Sequence, residues 1–598
     1  MLYPYESSTR EVKSLDGVWD FCPDAEGVGE QERWFETGLP QKLHMPVPAS
    51  YNDITTDTAI RDLIGNAWYE RTVFIPSTWK NQRIVLRFGS VTHRGKVWVN
   101  GEFLMEHKGG YLPFEGEISQ RVKPGDKIRI TVCVNNILDF QMLPPGEIEI
   151  LDNPYRYEKP TKVQRYFHDF YNYAGIHRPV KLYSTPVCHI TDVSVNPELQ
   201  GADGLLQYAV KQEGAGSIRV EVRDAQGVLT AEAAGAEGTV LVPQAHLWNP
   251  GAPYLYEFTT ILEQDGEVID VYHQKIGIRT VKVEGDRFLI NGKPFYFKGF
   301  GKHEDMNLKG KGLDDVTCIR DFNLMQWIGA NSFRTSHYPY AEEMLDWADE
   351  YGFVVIDESP AVGMTFFNEE KQVFVPERVN DETKRFHIQV MQDLIDRDKN
   401  HPCVVMWSIA NEPSSWEDNA RLYFKDIIDT VRSADPHRPV TMVSYAFPYG
   451  SRKDKVADLL DVVCINKYYS WYEDSGMLDV VEFQAEKELT LWHENYHKPI
   501  IITEYGADSI SGFHSVPAVM FTEEYQIEMV KRFNHVFDKL DFVIGEHLWA
   551  FADFATKQGT TRVIGNKKGI FTRERNPKSI AFYLKERWSH MENTYTKA

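Results

Sequence analysis

Cysteine is scarce in this chain of 598 residues, and the few cysteines present are scattered. No two of them form a CxxC pair, and their spacing matches neither a disulfide framework nor a cysteine-bound zinc site. Several lie in apolar stretches that resemble strands, so we expect buried free thiols. The six positions are Cys22, Cys133, Cys188, Cys318, Cys403 and Cys464.

Long apolar runs and export signals are also missing. No apolar run approaches the roughly 18 residues that a membrane-spanning helix needs. The chain begins MLYPYE, without a basic segment followed by an apolar stretch, and it contains no Asn-x-Ser/Thr site. We therefore expect no signal peptide, no membrane partner and a cytoplasmic, reducing location.

Positive charge is also scarce. The chain has 65 Lys and Arg but 87 Asp and Glu, which gives a net charge of -22. Such an acidic chain is a poor partner for nucleic acid or for an acidic membrane surface. It would also repel an anionic substrate at long range. An acidic sugar would therefore need cations placed close to it.

The first half of the chain carries β patterns. Residues 128–134 read IRITVCV and alternate with period two, and Asn100-Gly101 separates two strand-like runs as a hairpin turn does. These features predict a jelly-roll-like β-sandwich over residues 1–184. Short alternating runs such as 218–222 continue between turns, which predicts an immunoglobulin-like sandwich over residues 185–277.

From residue 278 to 598 the pattern changes to strands that alternate with helices. Eight strand–helix units in roughly 300 residues predict a (β/α)₈ barrel, so the whole chain is expected to be a multidomain β plus α/β protein. A doubly wound open sheet is the structural alternative, but no GxGxxG or P-loop marks its phosphate site. The predicted strands lie near residues 295–299, 331–335, 354–357, 404–409, 440–443, 462–465, 500–503 and 545–549.

Two glutamates stand at the ends of these strands. Glu412 follows the fourth predicted strand and Glu504 ends the seventh. Barrel active sites are built from strand ends at the C-terminal face, so the two carboxyls should meet across one mouth. Such a pair is what a glycosidase needs, with a closer spacing for a retaining enzyme than for an inverting one. The alternative is that each glutamate caps a helix or forms a structural ion pair.

Other polar and aromatic residues follow the predicted strands in the same way. Asn411 precedes Glu412, where its amide could bond a sugar 2-hydroxyl. Each of the remaining residues could be structural, but together they line one mouth. They are His303 and Glu304 after the first strand, His337 after the second, Tyr468 after the sixth and Trp549 at the end of the eighth.

Residues 493–497, HENYH, match the HExxH pattern of zinc metalloproteases. That chemistry needs both histidines on one helical face inside a cleft. Here Lys498-Pro499 follows at once and the seventh strand begins, which places the motif at the N-terminal end of the barrel. We interpret it as the end of a helix with chance spacing.

Several longer motifs resemble glycoside hydrolase family 2. Residues 407–413 (WSIANEP) and 502–506 (ITEYG), after two β domains, carry the resemblance to the family. Residues 167–178 (FHDFYNYAGIHR), 334–340 (RTSHYPY) and 550–554 (AFADF) resemble its β-glucuronidase branch. The resemblance covers essentially the whole chain.

The resemblance implies roles for the residues at the predicted mouth. It implies that Glu412 is the acid/base, that Glu504 is the nucleophile and that Tyr468 poises it. Asp169 from the first β domain and His337 are similar to residues that contact sugar hydroxyls, and Trp549 would form the floor of the pocket. No metal or organic cofactor is expected, since two carboxylates suffice for the reaction. Members of the family are usually homo-oligomers, often tetramers.

Residues 562–569, RVIGNKKG, decide which sugar is expected. In the β-glucuronidase branch an Asn-x-Lys motif at this place is associated with the C6 carboxylate, and Asn566 and Lys568 fit it. Arg562 and Tyr472 resemble further sugar-contacting positions. Physically, a carboxylate leaving water needs charge-assisted hydrogen bonds, whereas a neutral sugar would leave a buried lysine unpaired. Without the family resemblance, this segment would be a turn with solvated lysines.

The resemblance therefore implies a retaining β-glucuronidase acting on a small or oligomeric glucuronide. A β-galactosidase or galacturonidase of the same family is the first alternative, and a non-catalytic carbohydrate-binding protein is a remote one. The loop at residues 363–380 is shorter than in some family members. Loops at this position adjoin the aglycone, so Phe366, Phe367 and Phe374 leave the preference for a leaving group open. The alternative is that these phenylalanines pack on the barrel.

Overall fold

A computed structural model describes residues 1–367, 371–445 and 453–591 of the chain. Two β domains precede a closed barrel, as the sequence predicts. No helix among these residues is long and apolar enough to cross a membrane. All six cysteines are free thiols, and all but the half-buried Cys188 are buried, which confirms that prediction.

The first domain is a β-sandwich with two short helices, α1 (Trp34–Thr37) and α2 (Thr58–Arg61). Its strands are β1 (Glu11–Ser14), β2 (Gly17–Asp24), β3 (Leu43–Val47), β4 (Ala49–Ser50), β5 (Asn66–Phe74), β6 (Arg83–Phe88), β7 (Val91–Thr92), β8 (Arg94–Val99), β9 (Glu102–Lys108), β10 (Phe114–Glu117), β11 (Lys127–Asn135), β12 (Gly146–Leu151), β13 (Thr161–Tyr166), β14 (Gly175–Ile176) and β15 (Val180–Thr185).

The sandwich is formed by a six-stranded sheet, β3-β2-β5-β11-β8-β9, and a four-stranded sheet, β1-β15-β6-β10. Their inner faces enclose an apolar core that includes Trp19, Tyr69 and Leu86. The predicted hairpin joins β8 to β9, where Asn100 and Gly101 have φ angles of 52° and 87°. Both angles are positive, as a primed two-residue turn requires, and Asn-Gly tolerates them.

The second domain is the smaller sandwich that the sequence predicts. Sheet β16-β17-β20 packs on sheet β19-β18-β21-β22 around a separate apolar core. The bounds are β16 (His189–Gln200), β17 (Asp203–Glu213), β18 (Ser217–Arg223), β19 (Leu229–Ala234), β20 (Glu237–Val242), β21 (Tyr256–Gln264) and β22 (Glu267–Ile276).

A small antiparallel sheet then leads into the barrel, formed by β23 (Val281–Glu284), β24 (Arg287–Ile290) and β25 (Lys293–Pro294). Phe288 of this sheet packs edge-on against Phe297, with 5.0 Å between ring centroids. The backbone N–H of Phe295 donates to the carbonyl of Phe288 at 2.8 Å. The first barrel strand therefore begins at Phe297, two residues later than predicted, because Phe295 belongs to the entering sheet.

Eight parallel strands close into the barrel in sequence order, which confirms the predicted fold. They are β26 (Phe297–Lys302), β27 (Ser332–Thr335), β28 (Val354–Glu358), β29 (Val404–Asn411), β30 (Val440–Tyr445), β31 (Val463–Asn466), β32 (Ile500–Glu504) and β33 (Val543–Trp549). The surrounding helices are α3 (Asp315–Trp327), α4 (Glu342–Tyr351), α5 (Asp381–Asp398), α6 (Asp418–Ala434), α7 (Val481–Tyr496), α8 (Glu523–Lys539) and α9 (Ser579–Ser589).

The HExxH segment is the end of a helix, as predicted. Helix α7 stops at Tyr496, and His497 takes a left-handed conformation as its C-terminal cap. The His493 ring stacks on Phe542 at 4.1 Å, and its Nε2 lies 3.6 Å from Asp286 of the entering sheet. These contacts place the motif at the end of the barrel opposite the two glutamates.

Buried ion pairs hold the first sandwich against the barrel. Arg87 of β6 donates to both carboxylate oxygens of Glu342, at 2.9 and 2.8 Å, where α4 begins. The two side chains are 3% and 11% exposed. Arg178, after β14, donates to Glu304 at 3.2 Å and to the carbonyl of Pro339 at 2.5 Å. The sandwich is thereby fixed over the C-terminal ends of the barrel strands.

Arg87→Ala should destabilise this junction, because it leaves the Glu342 carboxylate buried without its partner. Breaking a buried pair from one side costs about 3–5 kcal/mol. The apparent midpoint of urea unfolding, followed by tryptophan fluorescence, measures the loss. Arg165→Ala is the control: the Arg165–Glu149 pair is 52% and 47% exposed, so its loss should cost at most about 1 kcal/mol. Equal effects of the two substitutions would contradict the prediction.

Candidate active site

The C-terminal ends of the barrel strands open into a cavity of about 630 Å³. Glu412, Glu504 and Trp549 line it from the barrel, and Asp169 lines it from the first sandwich. The two glutamates therefore share one mouth, as their positions after the fourth and seventh strands predict. We call this space the central cavity.

Glu504 ends β32 as an almost buried carboxylate that receives two strong hydrogen bonds. Arg334 Nη2 donates to Oε1 at 2.6 Å, and the Tyr468 hydroxyl donates to Oε2 at 2.6 Å. His337 Nε2 lies 3.6 Å from Oε1. Burial, followed by the nearby Glu504 charge, raises the pKa of Tyr468 well above its usual value, so its hydroxyl keeps the proton that it donates.

Glu412 has different surroundings. Its backbone takes a left-handed φ of 50°, and its N–H donates to the carbonyl of Val443 on the neighbouring strand β30 at 2.8 Å. Its Oε1 accepts a bond from Asn466 at 2.8 Å. Burial, with the negative charge of Glu504 second, raises the pKa of Glu412 to about 8. This carboxyl therefore holds a proton at neutral pH, as a general acid must.

Arg334 connects the residues around Glu504. Its guanidinium is 0% exposed, and Nη1 donates to both oxygens of Glu358, at 2.7 and 2.8 Å. The same nitrogen lies 3.3 Å from the Asn411 amide oxygen. Since Asn466 also donates to that oxygen, at 3.3 Å, the amide NH₂ of Asn411 is the group that it can offer to a hydroxyl in the central cavity.

Aromatic rings form one wall of the central cavity beside these polar groups. Trp549 ends β33, and His337 stacks on it with 5.0 Å between centroids. His337 Nδ1 lies 2.9 Å from Glu358, which orients the imidazole. Gly301 makes room for the indole, because a Cβ there would lie 2.4 Å from the Trp549 ring. Trp549 thus lines the central cavity, and its role as the floor of a sugar pocket stays a prediction.

A second wall combines Arg562, Asn566 and Tyr472, and we call it the basic wall. Asp169 accepts from Arg562 Nε at 3.0 and 3.1 Å and from the Asn566 amide at 2.9 Å. The first sandwich therefore reaches this wall directly. Most of the residues predicted at the mouth line the central cavity, but His303, Glu304 and Lys568 do not. His303 packs against Trp549 and Phe554, and Glu304 pairs with Arg178 of the first sandwich, so the prediction that these two line the mouth is wrong.

Lys568 lies behind the basic wall with a side chain that is 0% exposed. Its ammonium binds Asp508 and donates to the Tyr472 hydroxyl at 3.0 Å. The expectation that a neutral sugar would leave this lysine unpaired is therefore wrong, because Asp508 already pairs with it. Burial alone would raise the pKa of Asp508, but the charges of Lys568 and Arg562 outweigh burial and lower it.

The turn that carries Asn566 and Lys568 needs glycine. Gly565 has a φ of 89°, and a Cβ there would lie 2.4 Å from the carbonyl oxygen of Phe554. A Cβ on Gly569 would lie 2.1 Å from the backbone nitrogen of Asp553. The turn is thus pressed against the segment that follows β33, which holds Asn566 at the cavity.

The phenylalanines of the loop at residues 363–380 have two different surroundings: two line the cavity, and one packs on the barrel. Phe366 and Phe367 line the central cavity, whereas Phe374 is 3% exposed and packs against α6. Residues 368–370, which include Asn368, lie outside the described residues. Cavity aromatics and barrel packing are both present in this loop.

Four site residues escaped the sequence analysis: Arg334, Glu358, Asn466 and Asp508. Glu358 and Asn466 are the last residues of β28 and β31, and Arg334 is the last but one of β27. A polar residue at such a position is a signal that could have identified them. Asp508 has no comparable signal, because only the fold brings it beside Lys568.

Within the described residues, one group has the ligand types for a metal ion: Asp349, His401 and Cys403. These residues already bond one another. His401 Nδ1 lies 2.6 Å from Asp349, and the Cys403 N–H donates to Asp349 at 2.8 Å. Cys403 precedes β29, so the group lies away from the central cavity and takes no part in its chemistry.

Comparisons with known proteins match the whole chain to one family. The sugar binding domain of glycosyl hydrolases family 2 matches residues 12–186, a second model of that family matches 188–279, and its TIM barrel domain matches 281–593. A β-glucuronidase of Paenibacillus borealis is 53% identical over 593 residues, covering 99% of each chain.

Solved structures of similar chains agree with this match. The β-D-glucuronidase of Dictyoglomus thermophilum is 51% identical, with a TM-score of 0.95 and complete coverage of both chains. The β-glucuronidase of Ruminococcus gnavus, in complex with C6-substituted uronic isofagomine, is 42% identical over 98% of this chain and 99% of its own, with a TM-score of 0.93. The chain therefore belongs to glycoside hydrolase family 2.

Proposed function

We propose that the protein is a retaining β-glucuronidase that releases glucuronic acid and an aglycone from β-D-glucuronides. The observation that carries the proposal is that one cavity contains two glutamates with different hydrogen-bond partners and, beside them, the basic wall. Glu504 is an anchored carboxylate and Glu412 is a carboxyl that keeps its proton. This division of roles is what a two-carboxylate glycosidase needs.

The proposed substrate class rests on the basic wall and on the relatives. Arg562, Asn566 and the Tyr472 hydroxyl present donors to the central cavity, and donors to a carboxylate form the stronger, charge-assisted bonds. The Ruminococcus gnavus β-glucuronidase was solved with a uronic acid analogue, which supports the same class here. A galacturonide, which is the C4 epimer of a glucuronide, would meet the same donors. Only a direct comparison of the two substrates distinguishes a galacturonidase from a glucuronidase.

In the first step, Glu412 donates its proton to the glycosidic oxygen while Glu504 attacks the anomeric carbon. The C–O bond to the aglycone breaks, and a covalent glucuronyl–Glu504 ester forms. Arg334 and Tyr468 hold the Glu504 carboxylate in one orientation before the attack. The Asn411 amide can bond the sugar 2-hydroxyl, a contact that strengthens in the transition state.

In the second step, Glu412 is ionised and takes a proton from water, which attacks the same anomeric carbon and releases Glu504. Formation of the ester removes the negative charge of Glu504, one of the two main causes of the raised Glu412 pKa. The pKa of Glu412 should therefore fall in the intermediate. This change suits a group that acts first as an acid and then as a base.

We also propose a cytoplasmic location and a homotetrameric assembly. Six free thiols without a disulfide fit a reducing compartment. The assembly rests on the family resemblance alone. Sedimentation velocity would measure it against the 69.1 kDa mass of one chain.

Replacing either glutamate should abolish turnover while the fold stays intact. Glu412→Ala removes the general acid and should lower kcat on p-nitrophenyl β-glucuronide by about 100- to 10,000-fold. Glu504→Ala should lower it at least as far, because no covalent intermediate can form. The wild type should release the β anomer of glucuronic acid first, as NMR of the fresh product would detect.

The matched control is Glu494→Ala, which changes an exposed glutamate of the HExxH segment and should keep full activity. Chelation with EDTA should also leave the wild-type rate unchanged. Normal activity in either active-site variant, or an α-first product, would refute the assigned roles.

The raised pKa of Glu412 predicts the alkaline limit of activity. The protonated carboxyl is the competent acid and exists below its pKa, so kcat/KM should fall as the pH rises through about 8. The Glu504→Gln variant lacks the charge that contributes to this pKa, so its Glu412 should titrate at a lower pH. A carbon-13 NMR titration of labelled glutamate would measure both values, and an unchanged Glu412 pKa in the variant would contradict the assignment.

Lys568→Gln should reduce glucuronide hydrolysis by about tenfold or more, because it removes the charged hydrogen bond that Lys568 donates to the Tyr472 hydroxyl, and such a bond contributes about 1.5–3 kcal/mol. The measurement compares kcat/KM on p-nitrophenyl glucuronide, galacturonide, galactoside and mannoside. Lys567→Gln changes the adjacent lysine, whose side chain is 25% exposed, and should leave every rate within about twofold. A Lys568→Gln variant with wild-type glucuronide activity would exclude the carboxylate role of this lysine.

A further inference from the structure

We propose that Asp508 determines the preference for a substrate carboxylate, as a positioning residue that acts through Lys568 and Tyr472. The inference rests on the proposed β-glucuronidase activity and deepens it. Asp508 is not among the residues that line the central cavity. Its hydrogen bonds reach the cavity through Lys568 and then Tyr472, whereas Arg562 Nη1 lies 3.8 Å from its carboxylate, beyond hydrogen-bond distance.

Asp508 is fixed by its own hydrogen bonds. It lies in the segment after β32, four positions beyond Glu504, and its side chain is 2% exposed. One carboxylate oxygen accepts the backbone N–H of Lys567 at 2.7 Å, and the other binds the Lys568 ammonium. A single carboxylate thus ties the segment that carries Glu504 to the turn that carries Asn566.

The Lys568 ammonium has few ways to satisfy its three N–H donors. One bond goes to Asp508 and one to the Tyr472 hydroxyl at 3.0 Å. The rings of Trp471 and Tyr472 face the same nitrogen, at 5.0 and 4.8 Å from their centroids. Without Asp508, this enclosed group would lose the one carboxylate at hydrogen-bond distance among the residues that the structure describes.

The Tyr472 hydroxyl transmits this arrangement to the central cavity. Its oxygen accepts one bond from Lys568 and a second from Arg562 Nη2 at 2.8 Å. With both lone pairs occupied, the hydroxyl can only donate its own hydrogen to a further acceptor. Two cationic donors polarise that O–H bond, which strengthens its bond to an anionic acceptor. Tyr472 lines the central cavity, where a C6 carboxylate would be such an acceptor.

Charge balance explains why the anchor is an aspartate. Lys568 and Arg562 are matched by Asp508 and Asp169, so the formal charges of these four residues cancel. Asp508 supplies the counter-charge of the buried Lys568 ammonium and fixes its position. The basic wall then offers a carboxylate donors that are held in fixed directions.

Asp508→Asn tests this role with two substrates that differ only at C6, p-nitrophenyl β-glucuronide and p-nitrophenyl β-glucoside. The neutral amide keeps the shape of the side chain but not its charge. We expect kcat/KM on the glucuronide to fall by about tenfold or more, mainly through KM. The glucoside rate should stay within about twofold, so the ratio of the two should fall.

A double substitution separates this role from a structural one. In the Lys568→Gln background, Asp508→Asn should cause no further loss of the glucuronide/glucoside ratio, because its effect passes through that lysine. Asp553→Asn is the matched control: this 4% exposed aspartate pairs with Lys578 at 2.8 Å behind the same turn. It should leave the ratio unchanged, whatever its effect on the melting temperature.

Asp508→Glu provides a second measurement if the asparagine variant does not fold, since it keeps the charge and displaces it by one methylene. It should lower the ratio less than Asp508→Asn but still raise KM for the glucuronide. A wild-type glucuronide/glucoside ratio in the Asp508 variants would overturn the inference. The inference would also be overturned if Asp508→Asn lowered that ratio as much in the Lys568→Gln background as it does alone. A wild type without glucuronide activity would instead refute the proposed function.

Discussion

The arrangement of the active site depends on one buried cation, Arg334. Its guanidinium binds Glu358 through one nitrogen and Glu504 through the other, with no exposed surface. Removing a guanidinium from water is costly unless anions and hydrogen bonds compensate. Here the ion pairs that compensate for burial also serve the function, because the arginine fixes the direction of the Glu504 carboxylate. That geometry requires β27, β28 and β32 to end at the same level, which the closed barrel ensures.

Two residues of the same type acquire opposite properties from their surroundings. Glu504 receives hydrogen bonds from a cation and from a tyrosine, which fix the direction of its carboxylate. Glu412 receives one amide bond and faces the Glu504 charge, and its pKa rises to about 8. The two roles are therefore coupled: the charge that makes Glu504 a nucleophile also keeps the proton on Glu412. Formation of the ester releases that coupling at the moment when a base is needed.

Sequence patterns predicted the parts of this site that depend on local order. Apolar runs indicated the strands, and Glu412 and Glu504 followed from their places at the ends of two of them. The position of Asp169 could not be derived from periodicity, because it depends on how the sandwich docks on the barrel through contacts such as Arg87–Glu342. The prediction that a neutral sugar would leave Lys568 unpaired was wrong for a related reason. The partner of this lysine, Asp508, is 60 positions away in the chain, and only the fold brings the two together.

The position of Lys568 also explains how so acidic a protein can accept an acidic sugar. Exposed charges are screened beyond about 8 Å at physiological ionic strength, so most of the net charge of -22 acts weakly on the cavity. Close to the cavity, the formal charges of Arg562, Lys568, Asp169 and Asp508 cancel, while Lys371 and Lys557 add two further cations to its lining. Recognition then also needs donors held in fixed directions, as in the Tyr472 hydroxyl between two cations. Such donors favour a carboxylate whose oxygens meet them, because charge-assisted hydrogen bonds are the stronger ones.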